Sequence, residues 1–327
     1  MKVLVVGANG QLGARCCAVL VEAGHDVRGS VREPARGEAL RAVGVETVVA
    51  DLTDTASIRV AATGAELAIL SANAVVPRAG DRPAVVEEGL RRAPAVLAGQ
   101  GVRRIVLPSV PVTDVDEAVP FTRARRRLEN DLAGLRVETV CVRFPPFMDV
   151  HLALVGSSIP LRGAQNATVD RPSPFLRSFR NGTGTLVESR GLMLVPGPRS
   201  HRNAFITVTD AARAVVEAAT RDEVEGLPHA TLEVAGPQPL SWDDVAATYG
   251  RLLGRRVRVL STPAVVYAAA QKVLRPFAEV PSNTMALNRY GASSETAWTN
   301  VGGGLLDPAS MTTVEEFLRE KVRLPAA

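Results

Sequence analysis

Apolar and polar positions along this chain keep two rhythms. Short unbroken aliphatic runs, Val3-Leu4-Val5-Val6 first among them, show no alternation and so read as strands covered on both faces. After that run Leu12, Cys16, Leu20 and Ala23 recur three and four apart, which predicts a helix over residues 11–23. The pattern continues with strands at 26–31, 45–50, 67–70, 104–107 and 138–142, and helices after Asp54, over 84–100 and over 121–132. Pro94 falls inside the 84–100 helix and is expected to kink it, because proline brings no N–H to the helical ladder. Strand and helix in strict turn is the pattern of a parallel sheet with helices on both faces.

Beyond residue 149 the rhythm changes. Residues 149–202 are rich in Pro, Gly, Ser and Asn, the composition of a loop-rich lobe, within which 192–195 and 205–208 read as short strands. Helical periodicity returns at 210–219, at 242–253 with Ser241 as its N-cap, and in the Ala-rich stretch 262–278, placed to pack on the lobe or on a second subunit. The expected fold is α/β: a doubly wound, mostly parallel sheet over residues 1–150 and a smaller C-terminal substrate lobe over 151–327. Elements near Phe205 and Leu232 are expected to return to the main sheet.

Chemistry enters where the first strand breaks, at Gly7-Ala8-Asn9-Gly10-Gln11-Leu12-Gly13. One glycine of such a turn permits a positive φ, one lets the backbone approach a pyrophosphate, and one lets the helix pack on the strand. The helix N-terminus adds N–H groups and a partial positive charge. Strand before and helix after make this a dinucleotide-binding turn of the Rossmann type, with Gly7, Asn9, Gly10, Gln11, Leu12 and Gly13 as cofactor-binding residues. The end of the second strand selects the cofactor. Arg32 stands 19 residues after Gly13, where an acidic residue would bond the ribose of NAD and an Arg pairs with the 2′-phosphate of NADP. NADP is therefore expected, with NADPH preferred over NADH. Arg36 is a possible auxiliary; Arg28 is expected to point away from the site into solvent. Asp51, at the end of the third strand, either supports a turn or reaches the adenine. Ser71, Ala72, Asn73 and Ala74 end the fourth strand with small residues beside which a cofactor passes, and Ser109 ends the fifth.

Composition narrows the classes. At 327 residues and 46% hydrophobic the chain can bury a sizeable core. It holds no 18-residue apolar run and opens on a strand, so a cytoplasmic protein without a membrane partner is expected. Cys16, Cys17 and Cys141 fall inside predicted core elements without metal-ligand spacing, and no metal is expected. The net charge of +4 is carried mostly by arginine, densest at Arg123, Arg125, Arg126 and Arg127. No aromatic residue is interleaved there for base stacking, so a solvated helix face with one Arg turned inward is expected, and no nucleic acid. A monomer or homodimer is expected.

Several of these stretches together resemble the atypical short-chain dehydrogenase/reductases, specifically the NmrA-like NAD(P)-binding family with its isoflavone-reductase-like relatives. The resemblance rests on residues 7–13, on Gly24-His25 through Arg32, on Asp51-Leu52, and on Arg143-Phe144-Pro145-Pro146-Phe147. Phe205-Ile206-Thr207-Val208-Thr209-Asp210 and Val234-Ala235-Gly236-Pro237 add to it. It implies Leu52, Phe144 and Pro145 as further cofactor contacts. It also implies where catalysis belongs: a Ser ending the fifth strand, here Ser109, and a Tyr and Lys one helical turn apart on the next helix. This chain has Phe121 and Arg125 in those two places. Phe has no proton to give, and Arg holds an oxyanion or a hydroxyl without shuttling protons. None of Tyr249, Tyr267 and Tyr290 is followed four residues later by Lys. His151, just past a loop that borders the nicotinamide in that family, is the remaining titratable candidate. The catalytic candidates are thus Ser109, Arg125 and His151.

Three functions follow from this reading. The first is an NADPH-dependent oxidoreductase reducing a hydrophobic small-molecule carbonyl, enone, quinone or imine without the Tyr-x-x-x-Lys relay. The second is a non-catalytic NADP-binding redox sensor or regulator like NmrA. The third is a non-redox isomerase, dehydratase or cyclase on the same fold.

Overall fold

The computed structural model of the chain describes residues 1–73, 82–164, 167 and 174–325; Ala74 and the stretches 165–166 and 168–173 of the lobe lie outside the described residues. In chain order the elements are β1 (Lys2–Val6), α1 (Gln11–Glu22), β2 (Asp26–Val31), α2 (Glu38–Ala42), β3 (Glu46–Val49), α3 (Thr55–Ala62), β4 (Leu67–Leu70) and α4 (Pro83–Gly99). Next come β5 (Arg104–Ser109), α5 (Pro120–Ala133), β6 (Glu138–Arg143), α6 (Met148–Leu154), α7 (Pro174–Thr183), α8 (Leu186–Arg190), β7 (Leu192–Pro196), β8 (Arg202–Asn203) and α9 (Val208–Thr220). The chain ends with β9 (His229–Glu233), β10 (Leu240–Ser241), α10 (Trp242–Leu253), β11 (Arg258–Thr262), α11 (Ala264–Leu274), α12 (Glu279–Ser293) and α13 (Val314–Arg323).

Two compact units form. The first comprises Met1–Val110, Ala124–Arg143 and Val208–Val234; the second comprises Pro111–Arg123, Phe144–Thr207 and Ala235–Ala327. In the first unit seven strands lie in the order β3-β2-β1-β4-β5-β6-β9, every neighbouring pair parallel. That is a doubly wound sheet whose order reverses between β1 and β4, and ligands bind such sheets outside the carboxyl ends of the strands at that reversal. The unbroken β1 run is buried on both faces. Leu4 and Val6 join Ile58 of α3, Leu90 and Leu97 of α4 and Leu128 and Leu132 of α5 in one core cluster. Val3 and Val5, also fully buried, point to the opposite face, where α1 and α9 pack against each other and against the sheet.

The second unit has its own core, with Met148, Leu152, Phe205, Trp242, Tyr249 and Phe317 among its buried side chains. Phe205 and Trp242 meet edge to face at 5.2 Å. Two small sheets belong to it, β10 with β8 antiparallel and β11 with β7 parallel.

Several expectations are revised. The stretch read as loop-rich carries α6, α7 and α8 as well as β7. Residues 205–208 form no strand: Ile206 makes one isolated bridge with Phe147, and Val208 already opens α9. A β-branched and aromatic run imitates a strand there because Phe205 is fully buried beneath backbone; a Cβ on Gly236 would sit 1.8 Å from its carbonyl oxygen. Leu232 lies in β9 of the main sheet. Pro94 sits inside α4 with the helix continuing past it. Residues 262–278 hold α11 and the turn leading to α12, not one helix.

Candidate functional site

The glycine turn is shaped by contacts that exclude side chains. Gly7 has φ +83°, and a Cβ there would meet the backbone nitrogen of Ala72 at 2.8 Å. A Cβ on Gly13 would lie 2.3 Å from the Gly7 carbonyl oxygen and 2.6 Å from Ser71 Oγ. Two hydroxyls from neighbouring strand ends hold the turn. Gly7 N–H donates to Ser30 Oγ at 3.2 Å, and Ser71 Oγ donates to the Val6 carbonyl at 2.9 Å. The Gly10 N–H closes the turn on the Gly7 carbonyl at 3.0 Å. Asn9, Gln11 and Leu12 stay partly exposed on it.

α1, like α4, starts without a side-chain cap or a first-turn carboxylate, and its N-cap is Gly10. The first-turn N–H groups and the positive end of the helix dipole therefore meet no internal anion from the cap or first turn, and the donor set suits a pyrophosphate.

Arg32, partly buried, directly follows β2 at the same edge of the sheet. Arg36 pairs with Glu33 at 3.3 Å. Arg28 points away from this edge as expected but is not simply solvated: it pairs with Glu46 at 2.9 Å and donates to the Ala61 and Thr63 carbonyls at 3.0 and 2.7 Å. Asp51 Oδ1 accepts from the Thr53 N–H and hydroxyl, both at 2.8 Å, so its side chain builds a turn. Asp54 caps α3 by accepting from Ala56 N–H at 2.9 Å. Leu52 is approached by α4 so closely that a Cβ on Gly89 would lie 2.1 Å from its carbonyl oxygen. Asn73 ends the described stretch, exposed.

At the ends of β5 and β6 lies a buried polar cluster. Ser109 Oγ donates to Glu129 Oε1 at 2.5 Å, Arg126 Nη1 reaches both Glu129 oxygens at 2.8 and 2.7 Å, and Arg143 Nη2 donates at 2.8 Å. Burial pushes the Glu129 pKa up, but the bonds from Arg143 and Ser109 and the two positive charges outweigh it, so the carboxyl is held below its ordinary range. The Ser109 proton thus points at a carboxylate. Arg125, one turn before Glu129 on α5 and 5% exposed, donates from Nη2 to the Ala72 carbonyl at 3.0 Å. Burial lowers its pKa to about 10, which leaves the guanidinium charged at neutral pH. Phe121 stands one turn before Arg125 at the start of that helix. Thr122 is structural, its hydroxyl donating to the Asp116 and Val119 carbonyls at 2.9 and 3.1 Å.

Phe144, Pro145 and His151 belong to the second unit. Phe144 and Pro145 are buried, and the Phe144 ring tilts against Phe147 at 5.7 Å. His151, in α6, has Nδ1 3.2 Å from the Phe147 carbonyl. A carbonyl only accepts, so Nδ1 carries the proton and the neutral ring presents Nε2 as an acceptor. Burial moves the pKa from 6.5 down to about 4, against the smaller upward pull of that bond. Burial therefore takes His151 out of the neutral range in which a histidine ordinarily titrates.

Residues 1–318 match the NmrA-like family. The chain belongs to it.

Among curated relatives, the uncharacterized sugar epimerase YhfK of Bacillus subtilis is 31% identical over 112 residues, 33% of this chain and 52% of that one. The chain thus spans about half the length of that relative. Two solved structures share the fold along their whole length. The NADPH-dependent quinone oxidoreductase QOR2 of Escherichia coli, complexed with NADPH, gives a TM-score of 0.69 at 20% identity, covering 98% of this chain and 100% of that one. Triphenylmethane reductase of Citrobacter sp., complexed with NADP(H), gives 0.67 at 17% identity, covering 98% and 99%.

In this NmrA-like chain the structure thus brings Gly7, Gly10, Gly13, Ser71, Ala72 and Arg125 into one contiguous set. Ser30, Arg126, Glu129 and Arg143 were not singled out as site residues from sequence. The legible part of that cluster was the three-residue spacing of Arg126 and Glu129 on one helix. The thiols are buried and raised, Cys17 and Cys141 to about 12. Among the described residues no group of three or more His, Cys, Asp or Glu is arranged to hold a metal, and no helix is long and apolar enough to cross a membrane.

Proposed function

We propose that the chain is an NADPH-dependent oxidoreductase whose acceptor is a hydrophobic small-molecule carbonyl, enone, quinone or imine. The observation that carries this is the start of α1, which has neither a side-chain cap nor an acidic first-turn residue behind glycines that contacts require. Arg32 after β2 adds a positive charge where a 2′-phosphate distinguishes NADPH from NADH. Family membership and the named cofactors of QOR2 and triphenylmethane reductase support the same reading.

When bound, NADPH supplies a hydride from its nicotinamide. The protein's own part is positioning. The first turn of α1 would hold the pyrophosphate, Arg32 the 2′-phosphate, and Ser71, Ala72 and Asn73 would line the nucleotide. Arg125, fixed on the Ala72 carbonyl, offers a permanent charge to oxygen that becomes anionic on the acceptor. Ser109 acts through Glu129, as a positioning residue that keeps the ends of β5 and β6 in register. Asp51 and Leu52 build the turn that would border the adenine, and Phe144 and Pro145 would be further cofactor contacts. An acceptor that yields a delocalised anion needs no protein acid, and water supplies its proton.

A second reading, an NADP-binding redox sensor, is favoured by one set of facts: Phe121 lacks a proton, the Ser109 hydroxyl serves Glu129, and His151 is neutral. Titration with NADPH, NADP⁺, NADH and NAD⁺, followed by the loss of reduced-nicotinamide absorbance against quinones and enones, separates the two. Turnover of an acceptor supports the reductase. Tight binding that distinguishes the redox states without turnover supports the sensor, and binding of no nucleotide overturns both.

A further inference from the structure

Of the thirteen large apolar side chains exposed among the described residues, six lie between residues 260 and 280. α11 has no buried residue. Val265, Val273 and Phe277 are 71%, 67% and 85% exposed, and with Ala269 they stand four residues apart. Side chains at that spacing form a ridge along one helix face. It ends on the turn after α11, where the Phe277 N–H bonds the Leu274 carbonyl at 2.9 Å. The opposite side of the helix is held, by packing on α12 and by Gln271 Nε2 donating to the Ala118 carbonyl at 3.0 Å. The ridge is therefore a fixed convex surface of aliphatic side chains tipped by an aromatic ring.

Charge decides what such a surface meets. Along the ridge itself Lys272 and Arg275 stand against the single carboxylate of Glu279, while Glu117 precedes the Ala118 that α11 contacts on its held side. Lys272 and Arg275 are exposed beside the ridge. Isologous pairing with a second copy sets this positive surface against itself. An anionic bilayer answers both features: apolar side chains enter the boundary between headgroups and acyl chains, while Lys and Arg stay at the phosphates. We propose that the α11 ridge and the turn carrying Phe277 dock the protein on an anionic phospholipid surface. With 11 residues, α11 is far too short to span a bilayer, so the contact is peripheral. The sequence reading expects no membrane partner because it looks for a spanning segment, which a peripheral face does not need. The inference stands without the redox reading.

The test is sedimentation of the full chain with vesicles of mixed phosphatidylglycerol and phosphatidylcholine, and with vesicles of phosphatidylcholine alone. Sedimentation velocity without lipid is run in parallel. The protein is expected to partition onto the anionic vesicles, less so as salt rises, and weakly onto the neutral ones. Phe277→Asp and Val273→Asp lower the partition by about tenfold or more. Lys272→Gln combined with Arg275→Gln lowers it by roughly tenfold. Thermal melting of all variants stays at the wild-type value, because these side chains are exposed. No partition, or equal partition of wild type and Phe277→Asp, overturns the proposal. A lipid-free dimer that Phe277→Asp dissolves also overturns it, since the face then belongs to a second copy.

Discussion

The two ends of the seven-stranded sheet treat charge in opposite ways. At the amino ends of the strands, helix C-termini arrive with their carbonyls, and arginines answer them. Arg104, 2% exposed, pairs with Glu138 at 2.6 Å and donates to the Ala218, Ala219 and Asp222 carbonyls at 3.4, 3.2 and 3.2 Å, and to that of Arg221, closing the end of α9. Arg28 does the same for α3, and Lys2 ties Asp26 and Glu46 at 3.5 and 3.2 Å. At the carboxyl ends, helix N-termini arrive instead. There α3 is capped by Asp54, whereas α1 starts on Gly10 with no side-chain cap. The difference teaches where to look for a ligand: α4 also starts uncapped, but its first position is Pro83, which has no N–H, so the start of α1 is the one suited to an external anion.

The comparison can be broken from either side. Arg104→Ala is expected to cost the most, about 2–4 kcal/mol in urea unfolding, through the vacated volume and the carbonyls left without a donor. NADPH affinity should not change, and a loss would mean that the two ends are coupled. Gly10→Asp gives α1 the cap that α3 has; since Gly10 has φ −79°, the backbone accepts a side chain. Stability should rise by a few tenths of a kcal/mol at most, while NADPH binding weakens at least about tenfold from repulsion at the phosphates. Asp54→Ala should cost about 1 kcal/mol of stability with nucleotide binding intact. A pH dependence is expected as well. His151 titrates at about 4 in the fold against 6.5 unfolded, so the unfolded state takes up the proton first and stability falls as pH drops from 6.5 toward 4. His151→Gln should flatten that part of the acid decline, measured as unfolding midpoint against pH.

How much was legible follows the same division. The unbroken run of β1, the glycines and the spacing of Leu12, Cys16 and Leu20 gave β1 and the start of α1 at the right residues, and β2 ended at Val31 before Arg32 as read. Local sequence suffices there because turn, strand and helix are neighbours in the chain. Arg104 looked like an ordinary strand start, since its carbonyl partners lie more than a hundred residues away at the end of α9. Ser109 was legible as the end of β5 but not in its direction, because the carboxylate it serves comes from another element, α5. The helices of the second unit were missed where Pro, Gly, Ser and Asn interrupt them, as in Asn181-Gly182-Thr183 at the end of α7.

The most direct test of the account is calorimetric titration of wild type and Arg32→Ala with NADPH and with NADH. Wild type should bind NADPH the more tightly. The substitution should remove about 1.5–3 kcal/mol from NADPH binding, the worth of one charge-assisted contact, while leaving NADH nearly unchanged. Equal weakening of both nucleotides would contradict the assignment of the 2′-phosphate to Arg32, and binding of neither by the wild type would contradict the reading of the carboxyl end as a nucleotide site.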